Sequence, residues 1–320
     1  MEHLLNNILL GLLMITGFAI VRMQSLLAVA MLTSIYSLLS ASLFVVLDAV
    51  DVALTEAAIG AGISTILMLA TIALTADREK PPKHTPLLPL IVVIITGAVL
   101  IYGTRDMPRY GDPDAPVQRH VAPVYLQETA EQIGVPNVVT SVLASYRGYD
   151  TLGEVTVIFT AGAGVLTLLG YRRRGQTTQS GGSGRLVVLR VIAKLFFPLI
   201  LLFALYVQFH GDYGPGGGFQ AGVIFATGFI LYALGFGLGH AQQVIPHRLL
   251  RSMIALGVLI YAGVGIESIL LGGQFLEYRV LADDPVTGQH LGIMLIELGV
   301  GITVAAVMLI IYYGFVGRRR

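Results

Sequence analysis

The sequence reads His210-Gly211-Asp212-Tyr213-Gly214-Pro215-Gly216-Gly217-Gly218-Phe219-Gln220-Ala221-Gly222 between two long apolar segments. Proline and glycine in such a run set a tight turn, because proline fixes φ and glycine accepts the positive φ values that other residues avoid. Each flanking segment has the length of about 20 residues that crosses a hydrocarbon core of about 30 Å as a helix. The stretch therefore predicts a tight turn that joins two membrane-spanning helices.

The composition of the whole chain is that of an integral membrane protein. Of its 320 residues, 55% are hydrophobic and only 12% are charged, and the mean hydropathy is +0.78. In a bilayer, each long apolar segment satisfies its backbone hydrogen bonds by forming a helix. We predict an all-α, polytopic membrane protein with about nine transmembrane helices, at 4–21, 26–47, 52–75, 87–102, 155–171, 186–209, 219–238, 249–271 and 291–316.

The distribution of basic residues predicts the orientation. With nine alternating helices, thirteen of the twenty Lys and Arg residues fall on one side of the membrane. Short loops rich in Lys and Arg stay in the cytoplasm. We therefore expect the plasma (inner) membrane, with the amino terminus outside, the carboxyl terminus cytoplasmic and residues 210–218 at the outer face. The first segment lacks the basic start and cleavage site of a signal peptide, so we expect it to remain as a helix.

The chain divides into four parts. We predict a three-helix block over 1–77, a two-helix block with a long extracytoplasmic loop over 78–171, and a four-helix block over 186–320. The segment 172–185 is rich in Gly, Ser and Arg, which is typical of a flexible basic linker. The absence of cysteine excludes disulfides, thiolate metal sites and cysteine nucleophiles.

Two groups of charged residues in the first two blocks are candidates for an ion pathway. Glu56 lies about one turn inside the third helix, after Asp51 in the preceding turn, and a charge at the centre of a membrane helix costs about 2.5–3.5 kcal/mol. Arg147, Asp150 and Glu154 are spaced three and four residues apart, so they share one face of a helical turn. The alternatives are a hydrogen-bonded packing role for Glu56, a solvated cap for Asp51, and a surface ion pair for the Arg147 group.

The third block adds further candidates. His210 is the only histidine that we place at a helix end on the outer face, and imidazole titrates near neutral pH, which suits proton transfer. A capping role for this histidine is the alternative. The other candidates are Asp212 beside it, Glu267 and Glu297 inside two of the predicted helices, and Lys194 near the cytoplasmic end of another. Together with Glu56 and Glu154, the two intramembrane glutamates lie in the outer half of the membrane, which favours a shared cavity or ion entrance.

The turn itself has two possible interpretations. Its segment Gly216-x-Gly218-x-x-Ala221 has the spacing of a dinucleotide-binding fingerprint, but that motif requires a preceding β-strand, and here an apolar helix precedes it. We therefore interpret Pro215, Gly216, Gly217 and Gly218 as structural turn residues. No soluble-enzyme constellation stands in a suitable context, and we expect no cofactor, no metal site and no nucleic-acid partner.

The motif Phe209-His210-Gly211-x3-Pro215-Gly216-Gly217-Gly218-Phe219-x2-Gly222 resembles the B subunit of Mrp-type sodium/proton antiporters. A Lys194-x3-Pro198 helix precedes this motif, and Glu297-Leu298-Gly299-Val300-Gly301 follows it. Residues 51–65 and 137–154 resemble the carboxyl-terminal domain of the large A subunit of the same complexes. Those segments also occur as the small MbhD-like and MbhE-like subunits of membrane-bound hydrogenases related to complex I.

The resemblance implies a membrane subunit of a multi-subunit monovalent cation/proton antiporter that acts on Na+ and H+. Its expected partners are the antiporter-like A and D subunits and the small C, E, F and G subunits. The chain is then a transporter subunit that is not catalytic alone, and its acids line or support an ion route. The alternatives are a scaffold subunit, or a subunit of a related hydrogenase or another ion-driven complex, such as one for inorganic carbon uptake.

Overall fold

The computed structural model describes residues 2–80, 87–169 and 187–318. Within these ranges it contains nine apolar helices long enough to cross a membrane and no β-strand, so the all-α, polytopic prediction is confirmed. The predicted linker 172–185 falls outside the described residues. The spanning helices are α1 (His3–Arg22), α2 (Leu26–Val46), α3 (Val50–Ile72), α4 (Leu87–Asp106), α5 (Gly148–Leu169), α6 (Val187–His210), α7 (Gly218–Phe236), α8 (His247–Leu270) and α9 (Pro285–Val316).

Two of these helices begin earlier than predicted. The expected start of α5 at residue 155 and that of α9 at residue 291 were wrong, because both helices open with polar turns that apolar content does not mark. At α9, the carboxylate of Asp284 caps the helix by accepting hydrogen bonds from the backbone N–H of Thr287 at 2.8 Å and from its hydroxyl at 2.7 Å. These hydrogen bonds hold the pKa of Asp284 below its usual value.

Helix α9 forms the centre of the bundle. It packs against α5, α7, α8 and the carboxyl-terminal part of α3, and it buries residues over most of its length. Small residues let the neighbouring helices come close. A Cβ added at Gly299 would lie 2.6 Å from the carbonyl oxygen of Gly257 in α8, and one added at Gly222 in α7 would lie 2.7 Å from that of Gly301. The backbone of α9 is therefore in direct contact with two other helices.

In the part of the chain that the structure describes, two segments of π-helix interrupt the regular helices. One spans Ala57–Ile63 within α3, where the hydroxyl of Ser34 in α2 donates to the carbonyl oxygen of Ala61 at 3.1 Å. The other spans Ser141–Tyr146 immediately before α5. Short π-helical turns are rare and occur frequently at functional sites. The first segment follows Thr55, which is bonded to Gln220 in α7, and the second follows Thr140, which is bonded to Gly211 in the connection between α6 and α7.

Helix α4 differs from the other spanning helices. None of its residues is buried, and its side chains are almost all exposed apolar groups. The loop that follows it contains a regular helix, Val121–Gln132, which is held to the second π-helix through Tyr146. The hydroxyl of Tyr146 donates to the side-chain oxygen of Gln132 at 2.9 Å. The long predicted loop is thus partly helical and joined to the bundle.

Candidate ion-pathway site

The connection 211–217 between α6 and α7 is a compact turn. The backbone N–H of Gly217 donates to the carbonyl oxygen of Val207 at 3.0 Å. The backbone N–H of Gly214 donates to the carbonyl oxygen of His210, also at 3.0 Å. Gly217 has a φ of +112°, which side chains rarely allow, so glycine is required there. Of the predicted turn residues, Pro215, Gly216 and Gly217 lie in this connection, and Gly218 is the first residue of α7.

Glu297 of α9 lies directly behind this turn. A methyl group on Gly217 would stand 3.0 Å from the Oε1 atom of Glu297, and one on Gly211 would stand 3.2 Å from its Oε2 atom. At Gly218, a Cβ would overlap the carbonyl oxygen of Glu297. The glycines therefore make room for a carboxylate that approaches the turn from within the bundle.

Asn137 connects the turn to α3. Its side-chain nitrogen Nδ2 lies 3.1 Å from the carbonyl oxygen of Gly211, 3.0 Å from that of Gly214 and 3.4 Å from the Oδ1 atom of Asp51. Its backbone N–H donates to the carbonyl oxygen of Asp212 at 2.9 Å. One asparagine thus joins residues from two distant parts of the chain.

Further hydrogen bonds surround this asparagine. The hydroxyl of Thr140 donates to the carbonyl oxygen of Gly211 at 2.6 Å. Next to the turn, α7 contacts α3 directly, because the amide of Gln220 donates to the hydroxyl of Thr55 at 2.8 Å. The connection 211–217 is therefore bonded on one side to the segment before α5 and adjoins α3 on the other.

A histidine that sequence reasoning missed also reaches the turn. The Nδ1 atom of His290 in α9 lies 3.5 Å from the Oδ2 atom of Asp212, and both side chains are partly exposed. The expectation that His210 is the only histidine at a helix end on this face was wrong, because His290 lies in the second turn of α9, which begins at Pro285. The ring of His210 instead stacks on that of Tyr206, with the ring centroids 4.9 Å apart.

The charges of this cluster act on one another. Asp212 and Asp51 both interact electrostatically with Glu297, so three carboxylates from three segments share the region behind the turn. Carboxylates that are close together and partly shielded from water repel one another, which favours the uptake of a proton or a cation between them. We call Asp51, Asp212, His290 and Glu297 the turn cluster.

The other predicted candidates lie elsewhere. Glu56 is partly buried at the contact of α3 with α2, where Gly60 leaves room for the side chains of both Glu56 and Ser37. Glu267 on α8 and Lys194 on α6 are exposed to the surroundings of the bundle. Of the four intramembrane glutamates, only Glu297 is found in the turn cluster.

Arg147 and Asp150 form an ion pair at 2.6 Å, and their side chains are 61% and 54% exposed. Exposed pairs of this kind contribute at most about 1 kcal/mol to stability. This exposure is what the interpretation as a surface ion pair predicts. Glu154 lies exposed in the next turn and interacts electrostatically with both residues. Glu154 and Glu297 both act electrostatically on buried Tyr261, whose hydroxyl donates to the carbonyl oxygen of Gly148 at 2.7 Å.

Comparison with known proteins identifies the chain. Residues 188–310 match the model of a domain related to the MnhB subunit of Na+/H+ antiporters. The protein is 35% identical over 136 residues to a putative antiporter subunit mnhB2 of Staphylococcus aureus (strain Newman), covering 96% of that relative and 42% of this chain. The chain belongs to the MnhB-related family of antiporter subunits. Residues 11–77 match the MbhD family model, which describes the D subunit of MBH, and residues 92–200 match the MbhE model, which describes its E subunit.

The other proteins that it resembles are consistent with this family. It is 25% identical over 287 residues to a protein of Rhizobium meliloti (strain 1021) described as a probable A/B subunit of a K(+)/H(+) antiporter, covering 80% of this chain but only 28% of that relative. The resemblance to an A subunit joined to a B subunit is therefore confirmed. The chain spans less than a third of the length of this A/B relative.

Two solved structures resemble the fold. One is the Mrp complex from Dietzia sp. DQ12-45-1b, with a TM-score of 0.75 and 26% identity over 96% of this chain and 34% of the matched chain. The other is an archaeal membrane-bound sulfane sulfur reductase, with a TM-score of 0.56 and 34% identity over 70% of this chain and 95% of the matched chain. Most of the fold thus recurs in the Mrp complex, and a smaller part of it recurs in the sulfane sulfur reductase.

Proposed function

We propose that this protein is a membrane subunit of a multi-subunit monovalent cation/proton antiporter, and that the turn cluster forms part of its ion route. The observation that carries this proposal is the position of Glu297, whose carboxylate lies against the turn 211–217 and interacts with Asp212 and Asp51. Glutamate inside a membrane helix is costly, and such residues commonly mark ion and proton pathways.

In this route, ions enter at the face of the bundle that carries the turn. Asp212, Asp51 and His290 lie nearest that face, and Glu297 lies twelve residues along α9 from its first residue, about 18 Å at 1.5 Å per residue. The distribution of basic residues supports an external position for this face, with the carboxyl terminus in the cytoplasm of a cell whose plasma membrane holds the complex. Protons and cations then compete for the carboxylates of the turn cluster.

Other subunits complete the transporter. The expected partners are the antiporter-like A and D subunits and the small C, E, F and G subunits, and the exposed apolar surface of α4 is suited to contact with membrane neighbours. We propose that 1–77, 78–171 and 186–320 act as three blocks joined through 172–185. The chain is thus a transport subunit that is not catalytic alone.

The test is the substitution Glu297→Gln in the assembled complex. Everted membrane vesicles report exchange as the collapse of a pH gradient when Na+ or K+ is added, and native electrophoresis reports assembly. We expect an intact complex whose exchange rate falls about tenfold or more, since the carboxylate can no longer bind a proton or a cation. Unchanged exchange in this variant would contradict the proposal.

Glu267→Gln is the matched control. It changes the same side chain in a neighbouring helix, but Glu267 is exposed outside the turn cluster. We expect its exchange rate to stay within about twofold of that of the wild type, because no charge of the route is altered. Loss of the assembled complex in Glu297→Gln, with normal assembly of the control, would support the scaffold alternative instead.

A second candidate is a subunit of a related respiratory or other ion-driven complex. The structural match to a membrane-bound sulfane sulfur reductase, which this chain covers almost completely, favours it. Purification of the chain with its natural partners distinguishes the candidates. Antiporter-like subunits without a redox subunit support the antiporter, and a redox subunit in the preparation supports the respiratory complex.

A further inference from the structure

Three oxygen atoms converge on one nitrogen at the turn cluster. The Nδ2 atom of Asn137 lies 3.0 Å from the carbonyl oxygen of Gly214, 3.1 Å from that of Gly211 and 3.4 Å from a carboxylate oxygen of Asp51. The orientation of this amide is set by its other end, because Oδ1 accepts a hydrogen bond from the backbone N–H of Val139 at 3.0 Å. The nitrogen therefore stands at the centre of an oxygen-lined position.

An amide group leaves the charge at this position unbalanced. Its two N–H donors face three acceptors, and the hydroxyl of Thr140 supplies a further hydrogen to the carbonyl oxygen of Gly211 at 2.6 Å. The amide is neutral, so it does not compensate the negative charge of Asp51. A bare cation attracts every surrounding oxygen and also neutralises the carboxylate.

The oxygen types are those that hard cations prefer. Carboxylate and backbone carbonyl oxygens bind such ions, and in many transporters the carbonyls come from unwound segments and from the carboxyl-terminal ends of helices. Gly211 and Gly214 lie in the unwound connection that directly follows the carboxyl-terminal end of α6. The negative end of that helix dipole adds to the attraction of a cation.

We propose that the carbonyl oxygens of Gly211 and Gly214 and the carboxylate of Asp51 form a binding site for a monovalent cation, which the amide of Asn137 fills when no cation is bound. The amide nitrogen is then a tethered substitute for the ion. This inference rests on the proposed function, because it names the ion-binding position of the same turn cluster. A cation enters as the side chain of Asn137 turns away, and the amide returns when the ion leaves.

The test is the thermal stability of the purified complex in NaCl, KCl and choline chloride at equal ionic strength. A bound ligand stabilises the folded state in proportion to the logarithm of its concentration above its Kd. We expect Na+ or K+ to raise the melting temperature of the wild type above that in choline. Asp51→Asn should raise the cation concentration for half-maximal stabilisation about tenfold or more, because the charged ligand is lost.

Asp48→Asn is the control for this substitution. Asp48 is exposed in the connection that precedes α3 and has a φ of +57°, a conformation that asparagine also accepts. The Asp48→Asn substitution removes the same charge a few residues away. The dependence of its melting temperature on cation concentration should match that of the wild type. Equal titrations for Asp51→Asn and Asp48→Asn, or equal stability of the wild type in all three salts, would overturn the site.

Asn137→Asp distinguishes a cation site from a structural amide. Aspartate caps a helix as well as asparagine does, but it places a fourth oxygen where the N–H groups stood. We expect this variant to be less stable than the wild type in choline and to recover in Na+ or K+. A loss of stability that is the same in all three salts would show that the amide is only a hydrogen-bond donor.

Exchange measurements separate this inference from the proposed function. If Glu297→Gln abolishes exchange but the wild type shows no cation-dependent stability, the cation site is wrong and the proposed function stands. If cation-dependent stability requires Asp51 but exchange survives Glu297→Gln, the site stands and the proposed ion route is wrong.

Discussion

Gly218→Ala tests the close contact on which the turn cluster depends. A Cβ at Gly218 would overlap the carbonyl oxygen of Glu297 and lie 3.0 Å from the backbone nitrogen of Gly301. Both neighbours are backbone atoms of α9, so no side-chain rotation can relieve the overlap, and α7 must move away from α9. Overpacking of this kind costs about 1–3 kcal/mol.

Part of this cost is offset by the helix preference of alanine, which is worth at most about 1 kcal/mol over glycine. We therefore expect a net loss of about 1–2 kcal/mol, seen as a lower melting temperature of the purified complex. The displacement of α7 also separates Gly217 from the carboxylate of Glu297, so cation/proton exchange should fall as well.

Gly263→Ala is the matched control for this substitution. It places the same methyl group on α8, where nothing lies within 4 Å of the added Cβ. Its stability should equal that of the wild type or exceed it by up to about 1 kcal/mol. Equal melting temperatures for Gly218→Ala and Gly263→Ala would refute the inferred backbone contact between α7 and α9.

Two further substitutions test other contacts by thermal unfolding of the same complex. Gly60→Ala should destabilise it by about 1–3 kcal/mol, because the new Cβ would stand 2.6 Å from a carboxylate oxygen of Glu56 and would collide with Ser37. The control is Gly62→Ala, whose new Cβ meets only an ordinary contact at 3.6 Å. Equal effects at the two glycines would contradict the packing of Glu56. Tyr261→Phe should cost about 1–3 kcal/mol, since it leaves a buried carbonyl oxygen without its donor. A loss no larger than that of Tyr149→Phe, at a ring that is 73% exposed, would rule out that hydrogen bond as a source of stability.

Hydropathy was sufficient to predict the nine helices and their order, because the bilayer requires long apolar segments. It was not sufficient to predict where α5 and α9 begin. The first turn of α9 is polar, and its start is marked by the cap Asp284 followed by Pro285. That signal is present in the sequence, and it would have placed His290 on the same helix as Glu297, two turns away on the same face.

The central part of the candidate site could not be predicted in this way. Asn137 meets Gly211 and Asp51 only because three distant segments fold together, and nothing local to Asn137 indicates it. The π-helical segments are similar, because the choice between α and π hydrogen bonding depends on neighbours such as Ser34. Glu297 was a candidate from its depth alone, but its partners depend on tertiary contacts.

The length of α9 has a consequence for the lipid that surrounds the bundle. Its 32 residues extend about 48 Å, well beyond a hydrocarbon core of about 30 Å. A helix of this length tilts or projects from the bilayer, and the balance depends on local bilayer thickness. Since α9 carries both His290 and Glu297, a thicker bilayer immerses the upper turns of α9 more deeply, and a thinner one exposes them. Lipid chain length should therefore change how deeply the amino-terminal turns of α9, with His290, lie in the membrane.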